Sequence, residues 1–451
     1  MLKKLMALSV IFIFAPMAFG QQGGTLKQLT LQDCIKIGLQ RNTNVLQAQY
    51  QSQSQDSKVL SAYGTLLPTV SASGQFVYQY SQTRSGVTVG GVLIPLSATS
   101  IARRYSAGVQ ASYTLFDGTA NISGLNMARS QSESADMSYE RAKQTAIYQT
   151  TQNYLAVFNF RDQLKISEDN LKRDEQQLES IKESNSVGSA SLADVYQQQA
   201  IVSGDEYQLV QAKNAYDQAR ANLKFFLGLP VTDSVEFVDA SINSNIDTTD
   251  FAGVNERYSR IASLLDKAME VRPDYKAAIQ NVNAGKSSLT IAEAAYSPTI
   301  SAFAQYGING PGISSSDISQ NKSFYGGLSI SLPIFNGFQT QTNIQIADVG
   351  LKSAEQALDA TKRQVQLDVY QALLNLNAAE KGYESAVNAV AYAKINLETA
   401  QEKYRIGSGT LLDVLTANAI YTQDLSNQVV AAYTYIQAKQ QVEFAIGTIN
   451  Y

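Results

Sequence analysis

Apolar residues return at every seventh position along three long stretches of the chain. Val157, Leu164, Leu171 and Leu178 form one series, and Leu376, Tyr383, Val390 and Leu397 form a second. Val195, Val202, Leu209, Tyr216 and Leu223 form a third. Heptads sustained this long predict helices packed in coiled-coil fashion. From Gly118 to Ser186 no proline interrupts, so a helix of about 69 residues, roughly 100 Å long at 1.5 Å per residue, is expected. The apolar stripe is narrow, and the rest is Gln, Asn, Ser, Ala, Glu and Lys. A helix in a solid bundle carries a broader apolar face, so these stripes predict a wall one helix thick with water on both sides.

Four other segments alternate with period two, the signature of strands with unlike faces. Val70, Ala72, Phe76, Tyr78 and Tyr80 oppose Ser71, Ser73, Gln75, Gln79 and Ser81. Tyr105, Ala107, Val109, Ala111, Tyr113 and Leu115 oppose Ser106, Gln110, Ser112 and Thr114. Ile300, Ala302, Ala304, Tyr306 and Ile308 oppose Ser301, Gln305 and Gly307; Leu328, Ile330, Leu332 and Ile334 oppose Gly327, Ser329 and Ser331. Each run is expected to be about 10–12 residues, the length of a tilted transmembrane strand. One face packed on a soluble core would alternate in the same way. The polar face, nearly free of charge, suits a watery lumen instead. The intervening stretches, Gln82 to Arg104 and Asn309 to Lys322, read as long outward loops. Four strands cannot close a barrel, whose smallest form has about eight, and open edges are not tolerated in lipid. Subunits must therefore share one barrel.

The chain also repeats itself. Leu115-Phe116-Asp117-Gly118 recurs as Ile334-Phe335-Asn336-Gly337, Val187-Gly188-Ser189 as Ile406-Gly407-Ser408, and Leu192-Ala193-Asp194-Val195 as Leu411-Leu412-Asp413-Val414. All share a shift of 219 residues (335 − 116). Leu67-Pro68-Thr69-Val70-Ser71-Ala72 matches Ser297-Pro298-Thr299-Ile300-Ser301-Ala302 at a shift of 230 (298 − 68). The expected organisation is a leader at 1–20, a first repeat at 21–228, a joining segment at 229–263 and a second repeat at 264–451. Each repeat reads helix, β-hairpin (about 69–116 and 299–335), then helical hairpin (about 118–228 and 337–447). Pro68, Phe116, Gly118, Pro298, Phe335 and Gly337 mark the strand–helix junctions. Gly188-Ser189 and Gly407-Ser408 mark the turns that reverse the helical hairpins, where glycine supplies the helix-ending conformation.

Composition narrows the function. Lys3 and Lys4, the apolar run Leu5 to Ala15, and the small residues Ala18-Phe19-Gly20 read as a secretory signal. Without those lysines, 33 basic face 39 acidic residues, a net of −6 (35 − 2 against 39), so nucleic acid is not an expected partner. Histidine is absent, removing the usual general base and the commonest metal ligand. No catalytic constellation, metal site or cofactor is expected. Cys34, the only cysteine, reads as a small buried apolar residue. No later stretch approaches the roughly 20 apolar residues of a helical span, so membrane entry would be by β-barrel. A periplasmic coiled-coil structural protein or pump adaptor is the competing reading, but an adaptor would show one helical hairpin, not a duplicated one with four membrane-length strands.

The duplicated order resembles the TolC family of outer-membrane efflux proteins. The matching pieces include Leu29-Thr30-Leu31, Arg41 to Asn44, Tyr63 to Pro68, Leu332 to Gly337, Tyr404 to Leu415, Leu227-Gly228 and Ile446-Gly447. The resemblance implies a mainly helical homotrimer with a shared 12-stranded β-barrel in outer-membrane lipid and an α-barrel tunnel across the periplasm. It implies an exit duct of a tripartite efflux or type I secretion system. The hairpin turns would dock a periplasmic adaptor and an inner-membrane pump. It also implies a periplasmic gate: Asp413 matches a pore aspartate, Tyr404 a gate tyrosine and Asp194 an acidic gate position. Gly409 stands where the family's best-known member has a gate arginine, and Thr416 where it has a second pore aspartate. Aspartate this close to a turn also commonly caps a helix.

Overall fold

The computed structural model describes residues 27–239, 246, 251, 261–312 and 314–449. The expected leader at 1–20 and much of the 229–263 joining segment lie outside these residues.

The heptads form helices of the expected length. α1 (Leu31–Arg41) and α2 (Thr43–Gly64) precede two strands, followed by α3 (Ala120–Ser186) and α4 (Leu192–Phe226). In the second half, α5 (Ile261–Val271) and α6 (Pro273–Ala294) precede two strands joined through α7 (Ser315–Gln320); α8 (Gln339–Arg405) and α9 (Leu411–Ile446) follow. α3 and α8 each run 67 residues, roughly 100 Å. The in-phase side chains Val157, Val195, Leu223, Leu376, Tyr383 and Leu397 are buried. α3 packs on α2, α4 and α6, and α9 lies against both α8 and α3, so the halves interlock. A short parallel pair, β1 (Lys27–Leu29) with β4 (Val235–Phe237), ties the start of the described chain to the segment after the first repeat. Cys34 is fully buried beneath that pair among Leu29, Tyr154 and Leu223, and burial pushes its thiol up to about 12.

The four remaining strands form one antiparallel sheet in the order β2 (Thr69–Val89), β3 (Val92–Phe116), β5 (Thr299–Gly310), β6 (Lys322–Ser331). Its register lines up the alternation across all four strands. Ala72 pairs with Val109, Val109 with Tyr306 and Tyr306 with Phe324 on one face. Ser71, Gln110, Gln305 and Tyr325 form the adjacent row on the other. Val70, Phe76, Tyr78, Tyr80, Phe324, Leu328 and Ile330 are all exposed on the single subunit. An apolar sheet face of this kind needs lipid or protein to cover it.

Three expectations change. β2 and β3 run 21 and 25 residues rather than 10–12, and Gln82 to Arg104 is mostly strand, not loop. The strands continue because β-branched residues flank a two-residue turn, Gly90-Gly91, whose φ angles of +59° and +80° suit a tight hairpin. Leu332 and Ile334 lie beyond the end of β6, where Pro333 lacks the N–H a ladder needs. Leu115 sits at a register shift between Thr114 and Phe116, so the alternation breaks there. Asn309 to Lys322, by contrast, does contain the strand-breaking connection, with α7 inside it.

Candidate functional site

The junctions between sheet and long helices are built by the same backbone device twice. Gly118 and Gly337 have φ of +68° and +65°, and the next residues, Thr119 and Phe338, are also left-handed at +77° and +66°. Two successive left-handed residues turn the chain sharply from strand into helix, at a strain non-glycine residues rarely accept. A Cβ at Gly118 would lie 2.5 Å from Ser297 Cβ and 2.8 Å from the Ala294 carbonyl oxygen. Gly337 has open space around it. Phe116 ends β3, while Phe335 lies after β6 and meets Phe338 edge-on at 5.5 Å. Pro68 and Pro298 each stand one residue before a strand, β2 and β5.

At the opposite ends of the helices the two turns superimpose in detail. Gly188 and Gly407 have φ of +80° and +75°. The Ser189 N–H donates to the Ser184 carbonyl at 2.8 Å, and the Ser408 N–H to the Lys403 carbonyl at 2.9 Å. These bonds occupy carbonyls that the helix end leaves free, the Schellman arrangement. The serine hydroxyls return to the same carbonyls, at 2.9 and 3.3 Å. Gly409 also has a packing reason: a Cβ there would come within 3.0 Å of Lys403 Cβ.

Asp194 and Asp413 occupy equivalent places just after these turns. The Ser191 N–H donates to Asp194 Oδ2 at 3.0 Å, and the Asp194 N–H returns to the Ser191 hydroxyl at 3.1 Å. Thr410 donates to Asp413 Oδ2 through its N–H at 2.9 Å and its hydroxyl at 2.7 Å; the Asp413 N–H returns to the hydroxyl at 3.2 Å. Each is a capping box, satisfying donors at the helix start. The same box occurs at Thr30 with Asp33 and at Ser314 with Asp317, away from either turn. Capping therefore accounts for one oxygen of Asp413 and leaves the other to solvent. The hydrogen bonds from the Thr410 backbone and hydroxyl hold its carboxyl below the usual carboxylate range, so it is charged at neutral pH. Thr416 turns its hydroxyl back onto the Leu412 carbonyl at 2.8 Å.

Tyr404 is placed differently. Its ring packs against Ile181, Val195 and Leu411 on one side and the Leu397–Val414 cluster on the other, so it wedges between the two hairpins. Burial raises its phenol above the ordinary value, and the nearby Asp194 charge adds to this. Tyr404 and Asp194 thus lie in one neighbourhood.

Sequence reading missed a polar cluster deeper in the first hairpin. Arg173 donates to Asn170 and Thr422, each at 3.0 Å, and Thr422 donates to Asn170 at 2.7 Å. Asn418 donates to Asp174 at 3.0 Å, and Gln198 donates to Asp174 Oδ1 at 3.0 Å. The signal was present: Asp174, Gln198 and Asp205 stand three residues after the heptad positions Leu171, Val195 and Val202. Polar residues at the second seam position of a heptad mark a buried network.

Known proteins agree with this architecture. A family model described as outer membrane efflux protein matches residues 35–229 and 264–448, one match in each repeat. Outer membrane protein TolC of Vibrio cholerae serotype O1 is 27% identical over 354 residues, covering 76% of this chain and 77% of its own. Outer membrane protein TolC of Escherichia coli is 25% identical, over 76% of this chain and 70% of its own. Among solved structures, the CmeC outer membrane channel of Campylobacter jejuni superimposes with a TM-score of 0.75 at 18% identity, over 93% of this chain and 85% of its own. The outer membrane protein VceC of Vibrio cholerae gives 0.76 at 18% identity, over 92% and 96%. With duplicated helical hairpins, a sheet bearing one apolar face and a family match across both repeats, the chain belongs to the outer membrane efflux protein family, a duct of the outer membrane that reaches into the periplasm.

Proposed function

We propose that three copies of this chain form one passive export duct, with a shared 12-stranded barrel in the outer membrane and the long hairpins as its periplasmic tunnel. The supporting observation is the four-stranded sheet, whose outer edges at β2 and β6 have no partner strand among the described residues. Edge strands left unpaired in lipid are not tolerated, and four strands cannot close alone. Energy for export comes from an inner-membrane pump, joined through a periplasmic adaptor at the turns around Gly188-Ser189 and Gly407-Ser408. The chain performs no chemistry of its own.

The periplasmic mouth is gated by Asp413, with Tyr404 and Asp194 behind it. Three Asp413 carboxylates, each with an uncapped oxygen, favour cations and oppose anions in a narrow pore. Relatives named for cation efflux and for pyoverdine export share this chain's plan, so cargo is selected by the pump. Outer-membrane fractionation with an unheated gel tests the assembly: a heat-labile band three times the subunit mass is expected. A soluble periplasmic monomer would refute it. In planar bilayers, Asp413→Ala is expected to weaken block of single-channel current by divalent cations. Unchanged block removes Asp413 from the gate.

A further inference from the structure

A cavity of about 600 Å³ lies between α3, α4 and α9, lined on one side by Asn170, Asp174 and Asp205 and on the other by Asn418 and Thr422. Asp174 is 3% exposed and Gln198 is fully buried. Most donors here are already used. Gln198 gives its Nε2 protons to Asp174, at 3.1 Å to the carbonyl and 3.0 Å to Oδ1. Asn418 gives to Asp174 Oδ2 at 3.0 Å and to Asn170 at 3.3 Å. Arg173 is spent on Asn170, Thr422 and Asn418, with its guanidinium 5.7 Å from the centre of the Tyr421 ring.

Asp205 Oδ2 is buried without a hydrogen-bond partner, and the carboxyl has the Asn170 amide on one side and meets that of Asp174 on the other. The charged groups acting on it come from α3, namely Asp174 and Arg173. α9 contributes only uncharged groups to the cavity wall: Leu415, Asn418, Ala419, Thr422, Gln423 and Ser426. Two adjacent carboxylates without a shared donor cannot both stay ionised in a desolvated seam. A carboxylic acid hydrogen-bonded to a carboxylate satisfies both.

We propose that Asp205 and Asp174 share one proton, and that this proton holds α4 against the α3–α9 seam near the hairpin tips. Its loss sets two negative charges against each other, and the cavity gives α4 room and water to move into. The tips that carry Tyr404 and Asp413 then loosen. The duct wall is therefore tighter in acid than in alkali, whatever the cargo.

Burial first, then hydrogen bonding and repulsion from Asp174, push the Asp205 carboxyl up to about 7 against the smaller opposing pull of the Asn170 amide and the Arg173 charge. A raised carboxyl means that the folded state keeps a proton the unfolded chain releases near pH 4. Stability is then lost as pH climbs from about 4 through 7. The test is hydrogen–deuterium exchange on the detergent-extracted assembly from pH 5.5 to 8.5, corrected for the intrinsic rate. Exchange in peptides covering 181–205 and 405–420 is expected to rise by up to roughly tenfold per unit from pH 5.5 to about 7 and to level off above it. Asp205→Asn, whose amide donates as the shared proton does, is expected to abolish the rise. Asp424→Asn, at the matching place of the second repeat, is expected to leave it unchanged. A flat wild-type profile, or a rise that persists in Asp205→Asn, overturns the proposal. Where Asp205→Asn does not assemble, Asp174→Asn is expected to show the same flat profile, and a rise there overturns it equally. Restoration of protection at pH 8.5 by calcium ions alone would make the pair a cation site and refute the proton.

Discussion

The two helical hairpins share their backbone residue for residue yet fill it differently. α3 and α8 have the same length, and their ends and turns lie 219 residues apart throughout. Inside the seam, Asp174 and Gln198 of the first hairpin correspond to Ala393 and Ala417 of the second at the 219-residue shift, all four buried. The first seam is thus a hydrogen-bonded network, and the second a close contact of small apolar residues. Buried polar groups of this kind sacrifice stability and specify register, because only one alignment satisfies them. Asn418 and Thr422, from the second hairpin, complete the first hairpin's network. The difference teaches that the short motifs at helix ends set the geometry. The seams between them are free to specialise, one for packing and one for cross-linking the halves.

The same contrast recurs where α1 and α5 end. Asn42 and Arg272 occupy matching positions at the 230-residue shift. Asn42 Nδ2 donates to the Phe226 carbonyl at 3.2 Å, and Arg272 Nη1 donates to the Ala445 carbonyl at 3.0 Å, so each pins the end of its hairpin. Arg272 does more: it is 2% exposed and bridges Asp274 at 2.6 Å and Asp368 at 2.9 Å. Arg141 stacks on Phe444, 3.9 Å from the ring centre, beside the same aspartates. Removing one partner of a buried ion network strands the others. Arg272→Ala is expected to cost about 3 kcal/mol, the low end of the range because both aspartates keep some solvent. Asn42→Ala is expected to cost about 1 kcal/mol, the loss of a cap. Urea unfolding of the extracted protein checks the pair; equal costs would show that Arg272 works only through its bond to the Ala445 carbonyl.

A smaller gap separates the two strand–helix junctions. Gly118→Ala meets both the left-handed backbone and the Ser297 and Ala294 atoms, and about 2 kcal/mol of destabilisation is expected. Gly337→Ala meets the backbone penalty alone, about 1 kcal/mol. Melting temperatures of the two variants, measured side by side, test whether the junctions are as unlike as their surroundings.

Much of this was legible from residues. Heptads located the long helices, and the duplicated Phe-[Asp/Asn]-Gly and Gly-Ser words located both ends of each hairpin. What escaped follows from physics that a period cannot carry. The length of β2 and β3 depends on Gly90-Gly91 allowing a turn in the middle of what read as a loop. The break at Leu115 is a bulge, which shifts register without changing composition. Of the residues proposed for the gate, the acidic pair was visible as position but not as bonding. An aspartate three residues after Ser191 or Thr410 is a helix cap by local rule, and only the carboxylate's second oxygen is left for a pore.

That division of labour at Asp194 and Asp413 supplies the finest comparison. Ser191→Ala removes the hydroxyl that accepts from the Asp194 N–H, and about 1 kcal/mol is expected to be lost. Thr410→Ala also removes the hydroxyl that donates to Asp413 Oδ2, so the carboxyl loses part of what keeps its proton affinity low. A carboxyl depressed in the folded state contributes stability that is present above its unfolded value, near 3.9, and lost as pH falls through the folded one. The stability difference between wild type and Asp413→Asn is therefore expected to stay constant from pH 5 to 8 and to shrink only below about pH 4. Measured melting temperatures across that range decide it. A difference that already shrinks between pH 5 and 8 would mean that Asp413 is not held ionised by its cap. The proposed gate would then lack the permanent charge that a cation preference requires.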